Sequence, residues 1–338
     1  MIEKTDVLEV ATRANSPSCY NEATHRVEQG GSAVPGLSEL HLLLTYQCTF
    51  ECDHCFVWGS PFQTGVMTLA QIREVLDQGE ALGGIEGICI EGGEPSMYYP
   101  TFLEAARLAR ARGWWVDVVT SAYWATSHED ALLFLWPLAD LPLRCLYISE
   151  DAYHGSGDEA GPTRVAAGAA RELGIRVECI TIRPAGQSVE SSQTAKGEPV
   201  TGGAVRFRGR AAEKLTQGLL RRPWRELDSC PHEDLAAPVR VHIDPLGYVH
   251  LCQGLALGNL WRQPLAELMA RYRPEEHPVC GPLLRGGPAA LARAFRLPHV
   301  DGYVDECHMC YEMRRALRRR LPHVLGPDQM YGVPVSGS

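Results

Sequence analysis

The amino-acid sequence predicts an α/β fold, built as a partial (β/α)6 barrel followed by a small C-terminal domain. Short apolar runs alternate with longer segments in which apolar residues recur every three or four positions, and this alternation continues to about residue 215. Strands that alternate with helices imply a parallel sheet with right-handed crossovers. The predicted strands cover residues 40–45, 86–90, 115–120, 144–149, 176–182 and 203–208. The predicted helices cover residues 69–82, 101–112, 128–138 and 160–173.

Composition divides the chain into three parts. Residues 1–36 are polar with scattered Gly, Ser and Pro, which predicts an irregular N-terminal extension. Residues 37–215 hold the predicted βα units. Residues 216–338 form the predicted C-terminal domain and include a hairpin at 239–252, whose turn is expected at Pro245–Gly247. A chain of 338 residues is long enough for one large domain and a smaller one.

Charge and composition argue against several classes of partner. The net charge is −9, and the basic run from Arg314 to Arg320 lacks interleaved aromatic residues, so we expect no nucleic-acid partner. No apolar stretch approaches the ~20 residues that span a bilayer, and the N-terminus lacks the layout of a signal peptide. Twelve cysteines without an export signal indicate a reducing cytoplasm and metal ligation rather than disulfides.

A cysteine triplet directly follows the first predicted strand. Cys48, Cys52 and Cys55 have the spacing C-x3-C-x2-C, which supplies three thiolates where a 4Fe–4S cluster takes four ligands. A cluster held by three cysteines would keep one iron open to another ligand. The alternative is a zinc site, which His54 or the distant Cys310 could complete.

A glycine-rich segment follows the second predicted strand. It reads Glu91-Gly92-Gly93-Glu94-Pro95. Paired glycines let a backbone approach a ligand closely and adopt positive φ. Backbone carbonyls and the Glu94 carboxylate could accept hydrogen bonds from a ligand ammonium group there.

In these two motifs the chain resembles the radical S-adenosylmethionine (radical SAM) superfamily. The resemblance implies a partial barrel in which Cys48, Cys52 and Cys55 bind three irons of a 4Fe–4S cluster. It also implies that S-adenosylmethionine chelates the fourth iron through its amine and carboxylate, with the amine received by the Gly92–Pro95 segment. The chain departs from the family at His54, because the residue before the last cysteine is usually aromatic. An imidazole at that position could still cover the adenine side.

Polar residues at later strand ends are further candidates for ligand contact. Thr120 or Ser121 could hydrogen-bond a ribose hydroxyl, and the resemblance places Ser149 and Asp151 near the nucleoside or substrate. Helix caps and turns are the alternative, since Ser, Thr and Asp are the usual capping residues. Arg210 could pair with a ligand carboxylate or form a structural ion pair.

The C-terminal part carries a second set of cysteines. Cys230, Cys252, Cys307 and Cys310 make four thiolates, a complete shell for zinc or for a 4Fe–4S cluster. The layout resembles the SPASM and twitch extensions of radical SAM enzymes, which hold auxiliary iron–sulfur clusters. No cysteine follows Cys310, which favours the shorter twitch version with a single auxiliary cluster. Cys280 is either a buried thiol or a replacement for one of the four.

The resemblance implies an oxidoreductase that cleaves S-adenosylmethionine reductively to a 5′-deoxyadenosyl radical. We expect hydrogen abstraction from a small polar metabolite or a peptide, with the second electron passing to the auxiliary cluster. A flavodoxin or ferredoxin would be the low-potential electron donor. One alternative is a maturase of ribosomal peptides that forms a crosslink or an epimerised residue. The other is a zinc-binding interaction module without enzymatic activity.

Overall fold

Nine strands form one sheet in the computed structural model, which describes residues 36–154, 161–187 and 196–333. The predicted extension of residues 1–36 therefore lies outside the described residues except for Gly36. In chain order the strands of this sheet are β1 (Glu39–Leu43), β2 (Gly87–Glu91), β3 (Trp115–Thr120), β4 (Cys145–Ser149), β5 (Val177–Ile182), β6 (Gly202–Gly203), β8 (Arg240–Ile243), β9 (Tyr248–Cys252) and β10 (Leu255–Asn259). A separate two-stranded sheet pairs β7 (Arg222–Pro223) with β11 (Gly302–Tyr303).

Helices connect and cover the strands. They are α1 (Leu69–Leu82), α2 (Tyr99–Ala111), α3 (His128–Ala139), α4 (Pro162–Glu172), α5 (Arg210–Lys214), α6 (Leu265–Arg271), α7 (Cys280–Phe295) and α8 (Glu306–Leu317). Thr68 and Gln71 form a capping box at the start of α1, and Ser127 caps α3. Among the described residues, no helix is long and apolar enough to cross a membrane.

The first six strands confirm the predicted α/β fold with a parallel sheet. β1 to β6 lie in sequence order and each pairs in parallel with the next. The helices α1 to α4 end within two residues of their predicted bounds, because their apolar faces recur with the helical period. Parallel strands place all their carboxyl ends at one edge of the sheet, which is where ligands bind in βα folds.

The sixth predicted strand is wrong in its extent. Residues 203–208 were expected to be extended, but β6 comprises only Gly202–Gly203. The chain leaves the sheet because Arg206 and Arg208 turn toward Glu233, with nitrogen–oxygen distances of 3.6 and 2.8 Å. The buried Arg208 and the half-buried Arg206 pair with one buried carboxylate and hold this segment where a strand would otherwise continue.

The C-terminal hairpin is confirmed, but it does not stand apart from the barrel. β8 and β9 are antiparallel around the predicted turn, and β8 also pairs in parallel with β1, with Glu39 opposite Arg240. β10 then adds an antiparallel strand at the edge. One sheet therefore runs across the predicted boundary after residue 215, while the assignment of residues 216–338 as a cluster-binding domain stays a prediction.

The two faces of β1 differ in chemistry. Leu40 and Leu42 are fully buried in the main apolar core, which also contains the buried faces of the helices. Glu39 and His41 point the other way, toward the inner face of the barrel, where His41 lies 3.4 Å from a carboxylate oxygen of Glu91 on β2. The alternation follows from the two-residue period of a strand, and it leaves the inner face polar.

Leu40→Ala tests the assignment of the core. Leu40 is fully buried, and a Cβ on Gly79 of α1 would lie 2.8 Å from its Cδ1, so there is little room to collapse into the gap. We expect the substitution to lower the free energy of unfolding by about 2–5 kcal/mol. Denaturant titration of the purified chain measures this. Leu220→Ala, at a side chain that is 89% exposed, is the control and should change the stability by less than about 0.5 kcal/mol. Equal losses in both variants would contradict the assignment.

Candidate active site

The three cysteines of the first motif lie in the loop between β1 and α1, beyond the carboxyl end of β1. The Cys55 N–H donates to the Cys52 carbonyl at 3.0 Å, which closes a tight turn. Two backbone N–H groups point at sulfur: that of Phe50 lies 3.4 Å from Cys48 Sγ and that of Gly59 lies 3.2 Å from Cys55 Sγ. Donors aimed at sulfur stabilise the thiolate, the form in which cysteine binds metal.

The thiols of this loop are buried close to one another. Burial raises the pKa of Cys48 to about 12, and it raises the pKa of Cys52 as well, with Cys55 adding to both shifts. Without a metal, Cys48 and Cys52 stay protonated at neutral pH. A metal centre that takes thiolates would balance their charge, so the donor set fits a cluster with three cysteine ligands.

The glycine-rich segment packs directly against the cysteine loop. The Gly93 N–H donates to the Thr45 carbonyl at 2.6 Å, and the Glu94 N–H donates to the Gln47 carbonyl at 2.8 Å. A Cβ on Gly93 would lie 2.1 Å from the Gln47 carbonyl oxygen, and one on Gly92, where φ is 144°, would lie 2.6 Å from that of Thr45. Only glycine therefore permits this approach of the two loops.

The Glu94 carboxylate accepts hydrogen bonds from donor groups of the protein itself. It is fully buried and accepts hydrogen bonds from the Ser96 hydroxyl at 2.5 Å and the Thr120 hydroxyl at 2.9 Å. It also accepts from the N–H and hydroxyl of Ser121, at 2.7 and 2.6 Å. The backbone carbonyls of this segment are therefore the acceptors left for a ligand ammonium, and the Ser121 hydroxyl is directed at Glu94. Contact of Ser121 with a ribose stays a prediction.

Arg210 also holds the cysteine loop in place through hydrogen bonds. Its guanidinium donates to the carbonyls of Cys52 at 2.7 Å and Gly59 at 2.8 Å, and its N–H donates to the Cys55 carbonyl at 2.9 Å. Gly209, with φ at 61°, passes so close that a Cβ there would lie 2.5 Å from the Cys55 carbonyl oxygen. Of the two roles expected for Arg210, the structure therefore shows the structural one.

His54 forms a small cluster with residues that follow β4. Its Nε2 lies 3.6 Å from Asp151 Oδ2, and its ring stacks on Tyr153 with centroids 4.5 Å apart. Asp151 is buried and lies 2.8 Å from His154 Nδ1. Burial lowers the pKa of His54 to about 4, and Asp151 opposes this only in part, so the ring is neutral at pH 7. Ser149 lies half-buried at the end of β4; nucleoside contacts of these residues stay predictions.

Four cysteines of the C-terminal part line a single cavity. They are Cys230, Cys252, Cys307 and Cys310. Burial raises the pKa of Cys230, Cys307 and Cys310, the last to about 12. Cys280 is fully buried in α7 and is not among the residues that line this cavity; its thiol pairs with the Tyr272 hydroxyl. The geometry thus groups the four predicted ligands and leaves Cys280 outside them.

Two buried arginines border the same cavity. Arg208 Nη1 lies 3.2 Å from Cys252 Sγ and 2.8 Å from Glu233 Oε1. Arg314 is 1% exposed and donates to the Gln253 carbonyl at 2.7 Å. Burial alone would lower the pKa of Arg208, but Cys252 and Glu233 outweigh it and the pKa is raised. Two guanidinium groups therefore border the cavity, together with the carboxylate of Glu233 that pairs with one of them.

Sequence reasoning missed two features of the site. Gln329, close to the C-terminus, donates to the Val57 carbonyl at 3.1 Å and so braces the cysteine loop. The second feature is the polar group formed by His41, Glu91 and His242 on the inner face of the barrel. The signal for it was present, because polar residues stand two positions apart in β1 and in β8, and Glu91 ends β2.

Comparison with known proteins adds independent information. The family model described as the radical SAM superfamily matches residues 42–149. The putative peptide biosynthesis protein YydG of Bacillus subtilis (strain 168) is 26% identical over 111 residues, which is 33% of this chain. The match spans about a third of the length of that relative, 35%.

Two solved structures are similar to this chain. The first is BtrN in complex with AdoMet and 2-DOIA, with a TM-score of 0.43 at 16% identity over 69% of this chain and 82% of that one. The second is Streptococcus suis SuiB bound to S-adenosylmethionine, with a TM-score of 0.47 at 13% identity over 76% of this chain and 74% of that one. Residues 42–149, which contain both the cysteine loop and the Gly92–Pro95 segment, are a radical SAM domain.

Proposed function

We propose that this protein is a radical SAM oxidoreductase that uses S-adenosylmethionine and two 4Fe–4S clusters. Cys48, Cys52 and Cys55 would hold the first cluster, and the four C-terminal cysteines would hold the second. When bound, S-adenosylmethionine and the first cluster supply a 5′-deoxyadenosyl radical that takes a hydrogen atom from the substrate. The observation that carries the proposal is the packing of the Gly92–Gly93 turn onto the cysteine loop.

The protein's part at the first site is to hold two loops in fixed positions. Thr45 and Gln47 use their carbonyls to bind the glycine-rich segment, and Arg210 ties together the carbonyls of the cysteine loop. Hydrogen bonds from Thr120 and Ser121 to the buried Glu94 carboxylate also hold this segment in place. Ligand groups that meet preorganised backbone acceptors are positioned without reorganisation of the protein, as a reactive radical requires.

The second cavity supports a two-electron oxidation. Four cysteines complete the shell of a cluster, which leaves no iron open for substrate and favours electron transfer as its role. Arg208 and Arg314 place positive charge beside the sulfur atoms, and such charge stabilises the more negative, reduced state of the centre. The cavity is therefore suited to accept the electron that a substrate radical gives up.

The substrate belongs to one of two classes, a peptide or a small polar metabolite. The description of YydG as a putative peptide biosynthesis protein favours a peptide, and with it the formation of a crosslink or an epimerised residue. A low-potential flavodoxin or ferredoxin would deliver the first electron, and the cytoplasm would be the compartment, because both kinds of cluster need reduced thiols. We include neither nucleic acid nor a membrane among the partners.

Cys52→Ala tests the first site. The variant loses one of three cluster ligands, so we expect it to form no 5′-deoxyadenosine when the reconstituted protein is incubated anaerobically with S-adenosylmethionine and dithionite. Chromatography of the nucleoside products measures this. Cys179→Ala, at a half-buried cysteine of β5, is the control and should retain the activity. The proposal would be contradicted if the wild-type protein bound zinc and stayed colourless. It would also be contradicted if the Cys52→Ala variant formed 5′-deoxyadenosine at the wild-type rate.

Cys307→Ala tests the second site. We expect this variant to lose about four irons per chain after reconstitution and to keep cleavage of S-adenosylmethionine, because the first site is intact. Iron and sulfide analysis measures the loss. Cys280→Ala provides the matched control, since that buried thiol lies outside the cavity lining and its variant should retain full iron content. Iron loss in Cys280→Ala but not in Cys307→Ala would show that the ligand set is wrong.

Arg208→Met tests the electrostatic role of the second cavity. Removing the charge 3.2 Å from Cys252 Sγ should shift the midpoint potential of the auxiliary cluster to a more negative value. Redox titration followed by electron paramagnetic resonance measures the shift. Arg240→Met is the control, because Arg240 pairs with the same Glu233 at 3.5 Å without being among the residues that line the cavity. An equal shift in both variants would assign the effect to Glu233 instead.

A further inference from the structure

The inner face of the barrel contains a group of metal-binding side chains that the proposed function does not use. His41 on β1, Glu91 at the end of β2 and His242 on β8 each offer one ligand atom, and these three atoms all lie within 4.8 Å of one another. The register of the sheet brings them together, since His41 stands opposite His242 on one side and Cys89 on the other. Three separate segments of the chain thus converge on one point.

The distances between the donor atoms suit a single ion. Glu91 Oε1 lies 3.1 Å from His242 Nε2 and 3.4 Å from His41 Nδ1. Ligand atoms bound about 2.1 Å from a tetrahedral ion are about 3.4 Å apart, so only small adjustments would be needed. His41 and His242 are 3% and 7% exposed, and the Glu91 side chain is 13% exposed, which places the group inside the protein with a narrow opening at the carboxylate.

The contacts within the group are not hydrogen bonds, although they are short. Among the described residues, the buried His41 Nδ1 and Glu91 Oε1 atoms have no hydrogen-bond partner. A buried ion pair would align an imidazole N–H with a carboxylate oxygen, because an unpaired polar atom inside a protein costs about 1–3 kcal/mol. Instead the donor atoms lie near one another without the alignment of hydrogen bonds, an arrangement that a shared metal ion would satisfy.

A second carboxylate fixes the ring of His41. Glu39 Oε2 lies 3.4 Å from His41 Nε2, in hydrogen-bonding geometry, and can accept a hydrogen bond from Nε2. In a neutral ring held in this way, the lone pair of Nδ1 would face Glu91. Metal-binding histidines are commonly oriented in this way by a carboxylate on the opposite ring nitrogen.

We propose that His41, Glu91 and His242 bind one divalent transition-metal ion, of the kind that zinc represents, separate from both iron–sulfur sites. Two imidazoles and one carboxylate are a ligand set that such ions take, and three protein ligands leave a fourth position for water or a substrate oxygen. Glu91 directly precedes Gly92, so the ion would lie at the same edge of the sheet as the loop that receives S-adenosylmethionine. A role in binding a substrate oxygen rests on the proposed function, whereas binding of the ion does not.

Zinc binding by the full-length, anaerobically reconstituted protein tests the proposal. Equilibrium dialysis against Zn²⁺, with zinc and iron counted by mass spectrometry, should find one zinc ion per chain bound in addition to the iron. Counting iron in the same sample separates this result from the proposed function, because failure of the clusters would change the iron and leave the zinc at this site. A wild-type protein that takes up no zinc at this stoichiometry overturns the proposal.

Variants assign the ion to the three side chains. We expect His242→Gln to weaken zinc binding more than about 100-fold, and Glu39→Gln, which removes the orienting carboxylate, to weaken it about 10- to 100-fold. His250→Gln is the matched control, because His250 is a buried histidine 3.0 Å from a carboxylate oxygen of Asp244 but belongs to no such group. Zinc held by cysteines would be insensitive to His242→Gln, and that outcome also overturns the proposal.

A direct measurement covers the case in which His242→Gln does not fold. Anomalous scattering at the zinc edge from crystals of the wild-type protein, grown with Zn²⁺, should place the ion between His41, Glu91 and His242. Zinc found elsewhere, with no peak between these side chains, rules out the site.

Discussion

Two backbone hydrogen bonds at the carboxyl edge of the sheet determine the rest of the site. The carbonyls of Thr45 and Gln47 accept from Gly93 and Glu94, and this joins the loop after β1 to the loop after β2. The parallel pairing of β1 with β2 brings the loops to the same edge, and the two glycines remove the side chains that would keep them apart. Moving either loop would move the thiols relative to the backbone carbonyls that we expect to accept hydrogen bonds from the ligand.

The C-terminal part of the chain extends the sheet and supports this junction. β8 extends the sheet beside β1, and Asp244, just after β8, accepts a hydrogen bond from the Tyr46 hydroxyl at 2.6 Å. Trp58, at the end of the cysteine loop, donates to the Tyr311 hydroxyl of α8 at 3.0 Å. Residues distant in sequence therefore fix the loop, and unfolding of the C-terminal part would loosen the first site as well as the second.

Local patterns in the sequence predicted the βα units, the hairpin and both cysteine groups, because period and spacing are properties of adjacent residues. They could not predict that Glu94 accepts hydrogen bonds from Ser121, which lies 27 residues away, just after the next strand. The pairing of β8 with β1 was equally hidden, since a hairpin has the same alternation whichever sheet it joins. The early end of β6 depended on Glu233, which lies in a later segment. What could not be predicted was in each case the choice of a distant partner.

A short segment links the two cysteine sites. Arg208 contacts Cys252 Sγ at the second site, and Arg210, two residues on, binds the Cys52 carbonyl at the first. Two residues span at most about 7 Å of backbone, so the Cα atoms of the two arginines lie within that distance of each other. Gly209 between them packs so closely on the Cys55 carbonyl that a Cβ at this position would clash with it. Under the proposed function, an electron that leaves a substrate near the first site would pass to the second, and this three-residue segment contacts both sites.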